Sequence, residues 1–543
     1  MVNFLISALW FARQIKYTLF WLYLWQLKEY HIGRFWAHFR TEKGKNLLSD
    51  RLTLMKGFLL FSYFLFTREE IFQSFLITGL SIVYFIEGGK LLIDFLSRKI
   101  KSPVWTVKTI FLFLVAVFIE VSYFFLLWRI EGHILIGILV FDLLTPLFIS
   151  LLVILFQPLS FFWRCRIIEK AKQKRAEFSQ LKVIGITGSY GKTSTKEFLS
   201  DILSEKFNVL KTHKHKNSEV GISSTILEEL NSSHQIFVVE MGAYNRGGIK
   251  LLSDIAQPQI GILTGINSQH LATFGSQQTI INTKYELIES LPLDGVAIFN
   301  GENDFCRDLY RKTNHPQNKR ICFVSHGRDM ERRDLWIEGV EAKREGLVFR
   351  VVTREGEEIA FDLPLLGRQN LENVLLAFCC ARELGMSWEE ISRASKRFGP
   401  EKSAMNLFDG RKGAKIIQST YSANPTGVKA HLDYLGVWSE KRKIIIMPCL
   451  IELGDRSASL HQELGKRIGE VCDLAIITAG EYFYHLKKGA QESGMGEENI
   501  ILMREPSKVV QKLKKELGKD DIVLLEGRIS KSIISFLVNE QEK

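Results

Sequence analysis

Between Val104 and Trp128 the chain reads VWTVKTIFLFLVAVFIEVSYFFLLW, and from His133 to Trp163 it is apolar again. Each run is long enough to cross a hydrocarbon core of about 30 Å at about 1.5 Å per helical residue, which predicts two membrane helices. Leu52 to Phe66 and Ile71 to Phe85 are shorter, and the first holds Lys56. Alone, each could be a span, a re-entrant piece or a buried helix. The loops favour spans: Lys28 to Arg51 is strongly basic, Thr67 to Glu70 is not, Arg98 to Lys101 is basic, and Arg129 to Gly132 is brief and mixed. That alternation predicts four spans. The last is followed by Arg164, Arg166, Lys170, Lys172, Lys174 and Arg175, a cluster expected on the cytoplasmic face against anionic lipid. Phe4 to Leu27 is aromatic-rich but broken by Arg13, Gln14 and Lys16, which predicts an interfacial helix, and it lacks the cleavage site of a secretory signal. The helices serve either as an anchor or in substrate handling, with Glu120 and Asp142 as suspects for the second role.

The remaining sequence is of a different kind. At 543 residues the chain exceeds a single core, and 46% hydrophobic against 24% charged residues excludes a collagen-like, disordered or disulfide-scaffold protein. The net charge of +11 gathers between the apolar runs, so a membrane rather than a nucleic acid is the expected partner. The seven cysteines (Cys165, Cys306, Cys322, Cys379, Cys380, Cys449, Cys472) form no C-x-x-C pair, which argues against a zinc ribbon or a disulfide framework. The organisation expected is a membrane segment over 1–180, a central α/β domain over 181–398 and a C-terminal α/β domain over 399–543.

From Val183 short apolar strands alternate with amphipathic helices (VIGIT, IFVVE, IGILT, VAIFN), the pattern of a parallel sheet. The first strand enters Gly188-Ser189-Tyr190-Gly191-Lys192-Thr193-Ser194, a glycine turn opening a helix, where backbone N–H groups and the helix dipole hold phosphates. Lys192 would reach the terminal phosphates and Thr193 would bind Mg²⁺. The common phosphate loop has a further glycine where Ile186 stands, so this is the shorter G-x-x-G-K-T form. Glu240 ends the next strand, Asn267 to His270 follow IGILTGI, and Lys284 lies on the helix INTKYELI. These positions are at or after the carboxyl ends of strands, where α/β sites are built. Singly, each also reads as a cap, a loop residue or a solvated charge.

Taken together they resemble the Mur ligase family, ATP-dependent amide-forming enzymes of bacterial wall-precursor synthesis. The likeness runs from about Val183 to the C-terminus through EMGAYNRGGIKLLSDIAQPQIGILTGINSQHLATFGS, TKYEL, LLGRQNLENVLLAF, YSANPTGVKAHLDYL and LIELGDRSASLHQELG. The segments look like the branch joining D-alanyl-D-alanine to UDP-N-acetylmuramoyl-tripeptide. The resemblance implies that Thr193 and Glu240 hold one Mg²⁺ and His270 a second. It also implies that Lys284 captures carbon dioxide as a carbamate and that Asn300, in NGEND, lies near the adenine of ATP. The implied location is the inner membrane of a bacterium, with the ligase domains in the cytoplasm.

The C-terminal domain, with strands KIIIM, LAIIT and DIVLLEG, departs from that family's pattern. Ser403-Ala404 stands for Gly-Arg, Gln418-Ser419 for an acidic pair, Ser422 for asparagine beside Tyr421, Ala423, Asn424 and Pro425, Glu526-Gly527-Arg528 for Lys-Gly-Ser, and Gln369 for histidine. Losing cations that would face phosphates weakens charge-assisted contacts, unless Arg528 or Lys402 substitutes. The family's uridine-nucleotide-gripping N-terminal domain is replaced by the membrane segment. Two alternatives therefore stand beside the wall-precursor ligase: a membrane-anchored ligase acting on a lipid-linked or other carboxylate, and a nucleotide-binding scaffold that has lost turnover.

Overall fold

The computed structural model describes residues 2–28, 30, 32–39, 42–48, 50–65, 70–97, 99–129, 134–213, 216–267, 271–313, 320–326, 334–399, 405–420, 423–451 and 453–538. The chain divides into two compact units, Met1–Cys165 and Arg166–Lys543.

The first unit is helical: α1 (Val2–Leu27), α2 (Ile32–His38), α3 (Glu42–Leu48), α4 (Arg51–Leu65), α5 (Glu70–Leu96), α6 (Val107–Trp128) and α7 (Ile134–Leu155), with α8 (Gln157–Ala176) crossing the boundary. Two helices among the described residues are long and apolar enough to cross a membrane: α6, and the run from Ile134 through α8. By that measure α4, at fifteen residues, is too short; in α5 the stretch Ile71 to Phe85 carries no charge, and Glu87, Lys90 and Asp94 follow it. The unit inverts the usual order of surface and interior. Phe61, Phe64, Phe85, Phe118 and Leu147 are each more than 60% exposed, whereas Arg13, Gln14, Lys56, Glu120 and Asp142 are buried.

The interfacial reading of the N-terminal segment is corrected here. Helix α1 packs against α5, α6 and α7, with Trp10, Trp21 and Trp25 fully buried. The charges that broke its apolar pattern are paired inside the bundle: Arg13 with Glu87 at 3.0 Å and with Asp142, and Lys16 with Asp94 at 2.6 Å. Lys56 joins the same cluster, 2.6 Å from Glu87 and 2.5 Å from Asp142. Glu120 accepts a hydrogen bond from Thr18 Oγ1 at 2.6 Å.

The basic cluster after the last apolar run is also partly structural. Arg175 is buried and donates to the carbonyls of Ala256, Phe178 and Leu181, and Lys174 donates to Leu227 O. Ile168 and Ala171 join the core beneath β1 (Lys182–Thr187).

The second unit holds two sheets. After β1 come α9 (Lys192–Leu203), β2 (Val209–Lys211), α10 (Glu219–Glu229), β3 (Ile236–Glu240), α11 (Gly248–Ala256), β4 (Ile260–Leu263), α12 (Leu271–Phe274), α13 (Gln277–Glu289), β5 (Val296–Asn300) and α14 (Asp304–Lys312). Strands β6 (Arg320–His326), β7 (Leu335–Ala342), β8 (Leu347–Thr353) and β9 (Glu358–Leu363) precede α15 (Asn370–Glu383) and α16 (Trp388–Ser395). The order is β2-β3-β1-β4-β5-β6-β7-β8-β9, parallel through β7 and antiparallel beyond it. Strands β3 and β4 are buried along their whole length, as strands covered by helices on both faces must be. The antiparallel extension was not evident in the sequence, because its half-buried strands lack a continuous apolar run.

The second sheet contains β10 (Asn406–Asp409), β11 (Lys415–Ser419), β12 (Arg442–Met447), β13 (Leu474–Ile477), β14 (Ile500–Leu502) and β15 (Asp521–Glu526), in the order β10-β11-β15-β12-β13-β14. Helices α17 (Pro425–Gly436), α18 (Ser457–Val471), α19 (Phe483–Glu492), α20 (Pro506–Glu516) and α21 (Lys531–Leu537) cover it. Alternation divides its strands between two cores: Ile417, Ile445 and Leu524 face one, and Ile416, Ile444, Ile446 and Val523 the other.

Candidate active site

The turn between β1 and α9 is shaped by what its glycines exclude. A Cβ on Gly188 would lie 2.2 Å from Thr264 Oγ1, and one on Gly191, at φ +78°, would lie 2.3 Å from Asn373 Oδ1. Only glycine fits at either point. The loop is fastened by Ser189 N donating to Gly265 O at 2.7 Å, by Asn267 N donating to Ser189 Oγ at 3.2 Å, and by Thr264 Oγ1 donating to Tyr190 O. The Tyr190 hydroxyl accepts from Asn303 Nδ2 at 3.3 Å, and burial pushes its pKa up. Lys192, Thr193 and Ser194 form the first turn of α9, so the free N–H groups of that turn and the Lys192 ammonium share one mouth. Lys192 Nζ donates to Gly188 O at 2.7 Å.

Beside this loop, at the end of β3, Glu240 is buried. It accepts from Thr193 Oγ1 at 3.0 Å, Asn217 Nδ2 at 3.0 Å and Lys196 Nζ at 3.3 Å. Burial alone would raise its pKa, but the Lys196 and Lys192 charges, with the Asn217 and Thr193 hydrogen bonds, hold it below the usual carboxylate range. A hydroxyl and an ionised carboxylate that meet at 3.0 Å are hard oxygen donors of the kind Mg²⁺ takes alongside phosphate and water. The residues present therefore fit a magnesium ion. No group of three or more His, Cys, Asp and Glu side chains forms a metal cluster among the described residues. His270 lies outside them.

Lys284 approaches from α13, whose start is capped by Ser276. It is buried, with Nζ donating to Ala243 O at 3.3 Å. A cavity of about 60 Å³ brings Lys284 together with Lys192, Gly188, Ser189, Asn217 and Tyr244. Burial, reinforced by the Lys192 charge, pulls the Lys284 pKa down to about 7. Burial also lowers the pKa of Lys192, with Glu240 opposing. Two lysines and one carboxylate thus gather beside the carboxyl ends of parallel strands, their pKa values moved by burial and by the charges around them.

Asn300 ends β5 and is buried, but its amide is committed within the protein: Nδ2 donates to Thr264 O at 2.7 Å and to Glu372 Oε2 at 2.5 Å. It ties β5 to α15. Sequence reasoning missed Asn217 and Lys196. Asn217 stands immediately before the α10 N-cap Ser218 and reads as part of that cap, and Lys196 reads as a solvated helix charge although it is fully buried between Glu197 and Glu240.

The C-terminal departures have structural settings of their own. Glu526, at the end of β15, is completely buried and hydrogen-bonded to His431 Nδ1 at 2.7 Å. Gln418 Nε2 donates to Thr420 Oγ1, and Ser419 O accepts from Gly527 N at 2.9 Å. Asn424 caps α17 by accepting from Gly427 N, Gln369 Nε2 donates to Leu366 O, and Arg528 is exposed. Lys402, Ser403, Ala404, Tyr421 and Ser422 lie outside the described residues.

With this geometry in place, comparison with known proteins finds similarity along most of the second unit. A profile of the Mur ligase middle domain matches residues 186–381, and one described as the Mur ligase, glutamate ligase domain matches residues 405–529. The chain is 28% identical over 347 residues to the UDP-N-acetylmuramoyl-tripeptide–D-alanyl-D-alanine ligase of Bacillus subtilis, covering 64% of this chain and 73% of that protein. It is 31% identical over 293 residues to the Synechocystis protein of the same name, covering 53% of this chain and 59% of that one. The solved MurF ligase of Thermotoga maritima, in complex with ADP, aligns with a TM-score of 0.58 at 26% identity, over 69% of this chain and 83% of that one. Residues 1–165 lie outside both profile matches.

Proposed function

The chain belongs to the Mur ligase family, and from that premise we propose that it is an ATP-dependent amide ligase joining D-alanyl-D-alanine to UDP-N-acetylmuramoyl-tripeptide in peptidoglycan precursor synthesis. One observation carries the chemistry: Lys192, Asn217 and Lys284 share a single cavity beside Glu240 and Thr193, at the mouth of a glycine loop.

On this reading the acceptor carboxylate attacks the γ-phosphorus of ATP. The P–O bond to ADP breaks, and an acyl phosphate forms. Lys192 and the N–H groups of α9 meet the charge that spreads over the transferred phosphoryl oxygens. The amine then attacks the acyl carbon and loses a proton, and inorganic phosphate leaves. Thr193 and Glu240 would hold Mg²⁺, with His270 as a ligand to a second ion. When bound, the metal supplies further neutralisation of phosphate charge. The resemblance would set Asn300 near the adenine, and its side-chain amide already donates to Thr264 O and Glu372, so on this reading it would shape that end of the site by holding β5 to α15. Lys284, increasingly neutral from about pH 7 upward, adds to carbon dioxide by forming an N–C bond and releasing a proton, so that a cation becomes an oxygen-donor anion.

We assign the first 165 residues to the inner membrane of a bacterium, with the ligase domains in the cytoplasm. The exposed aromatic surface, the paired interior charges and the two long apolar helices support this. A lipid-linked acceptor is a second reading, favoured by this helical unit standing ahead of the matched ligase domains.

Mass spectrometry of products tests the proposal, using detergent-purified full-length protein with Mg-ATP, UDP-N-acetylmuramoyl-tripeptide and D-alanyl-D-alanine, and Lys192→Ala as control. A pentapeptide product that vanishes in the control is expected. ATP binding without product would transfer the assignment to another acceptor or to a scaffold.

A further inference from the structure

A cavity of about 390 Å³ in the helical unit has no part in the ligase chemistry. Its lining is ordered by charge. Deep in it, Arg13 of α1 is held by Glu87 of α5, and Lys16, partly exposed, is held by Asp94. Toward the surface are Lys90, near the end of α5, and Lys99 and Lys101, on the segment leading to α6, all three exposed. Five cations face three carboxylates, the third being Asp50. Lys101 lies 5.9 Å from the Phe20 ring centre, and Tyr17, Phe20 and Trp21 form an aromatic wall.

Behind the lining is an ionic cluster that a helical bundle would not bury without cause. Arg13 connects the cavity to Asp142 and, through Glu87, to Lys56, whose side chain is 1% exposed. Burying such charges costs several kcal/mol of solvation per ion before pairing offsets it. Ionisable groups inside a bundle of this kind commonly serve a bound species or a pathway. Here the cluster fixes Arg13, and with it the rear wall of the cavity.

We propose that this cavity binds the phosphate or diphosphate group of an amphiphile or nucleotide. The surplus of cations matches a doubly charged anion better than a single carboxylate. The volume exceeds that of a phosphate, so there is room for part of the attached group, and the aromatic wall offers a flat apolar surface to it. On α5, next to Lys90 and Asp94, Leu92, Ile93, Phe95 and Leu96 are exposed, an apolar strip along which a lipid tail would lie. The cavity opens at the end of the bundle where α5 finishes and α6 begins. Contacts of Gln26 with Val104, Phe111 with Phe156, and Gln157 with Tyr30 show that α7 ends there too. This inference does not depend on the ligase reading.

The test measures binding to full-length protein in detergent, in a Lys192→Ala background that silences the phosphate loop. One arm titrates inorganic diphosphate by calorimetry, and the other titrates phosphatidic acid in mixed micelles, with phosphatidylcholine as blank. The site variant is Lys90→Gln/Lys99→Gln/Lys101→Gln, and the charge-matched control, none of whose residues lines the cavity, is Arg166→Gln/Lys170→Gln/Lys172→Gln. Saturable binding that weakens at least tenfold in the site variant and not in the control is expected. Response to diphosphate identifies a soluble source, and response to phosphatidic acid alone identifies a lipid headgroup. Absence of saturable binding in both arms, or equal binding by the site variant, overturns the proposal. The three lysines of the site variant are exposed, so folding is preserved, and an unchanged thermal transition verifies it.

Discussion

Two strand ends in the α/β unit each bury a glutamate, and they have opposite surroundings. Glu240, at the end of β3, faces Lys196, Thr193 and Asn217 and borders the cavity that holds Lys192 and Lys284. Glu526, at the end of β15, meets His431 and is fully enclosed. The same residue type at the same topological position is thus a site in one sheet and an internal fastening in the other. What separates them is the supply of cations and a glycine loop that leaves an opening. A strand's carboxyl end is a place where a site can be built, and its neighbours determine whether one is.

That contrast is broken most severely at Glu240. Glu240→Gln removes one of the two charges that Lys196 is buried against, leaving Glu197 as its ion-pair partner among the described residues. Breaking a buried pair from one side costs about 3 kcal/mol. The expected result is a clear fall in the urea midpoint of the full-length protein in detergent, together with loss of ligation. An unchanged midpoint would show that Glu197 alone compensates Lys196.

Lys192→Ala tests the mouth of the loop. Removing one preorganised donor from a charge-developing site typically costs about a hundred- to a thousandfold in turnover. That loss is expected with the stability of the protein little changed, because among the described residues the hydrogen bonds of Lys192 Nζ go to carbonyls of its own loop, Gly188 and Ser189, and the charge it removes opposes Lys284 as well as supporting Glu240. A loss smaller than tenfold would remove Lys192 from the phosphoryl-transfer step.

Lys284 gives the comparison a pH axis. The folded protein releases this proton at about 7, against an ordinary value of 10.5. Between those values the unfolded chain carries more protons there than the folded one, so this group's contribution to stability rises with pH from about 7 upward. The neutral amine that takes up carbon dioxide is populated over the same range. Activity is therefore expected to fall below pH 7 and to fall further when carbon dioxide is stripped from the buffer. Lys284→Ala should abolish ligation, with partial rescue by added short carboxylic acids. Full activity in Lys284→Ala would sink the carbamate assignment.

The same contrast shows what could be read from the chain alone. The glycine loop, Thr193 and the strand carrying Glu240 were legible because local rules write them in short segments: a fully apolar strand, a turn that only glycine fits, and a helix start. Lys284 was legible only through a resemblance, since nothing in INTKYELI separates a buried lysine from a solvated one. Asn217 and Lys196 were missed because what they contact is fixed by tertiary packing 23 and 44 residues away. The helical unit shows this limit most clearly. The polar residues in α1 suggested a helix lying on a surface, whereas its partners Glu87, Asp94 and Asp142 come from α5 and α7 and turn those charges inward.

The smallest expected effect is at the other strand end. His431 and Glu526 lie 95 residues apart and meet as a buried pair, so Glu526→Gln keeps the shape and a hydrogen bond to the imidazole. One altered internal hydrogen bond is worth about 1 kcal/mol. A small drop in the urea midpoint is expected, with the ATP dependence of ligation unchanged. The family pattern has a lysine at this position, so the result separates two meanings of the departure. If Glu526→Gln alters KM for ATP or for the amine by tenfold while the midpoint stays put, Glu526 reaches the substrates after closure of the site, and the two strand ends are alike after all. If only the midpoint moves, the buried pair has taken the place of a substrate-facing cation, and the contacts it would have made fall to another cation, for which Arg528, exposed two residues further on, and Lys402 are the candidates.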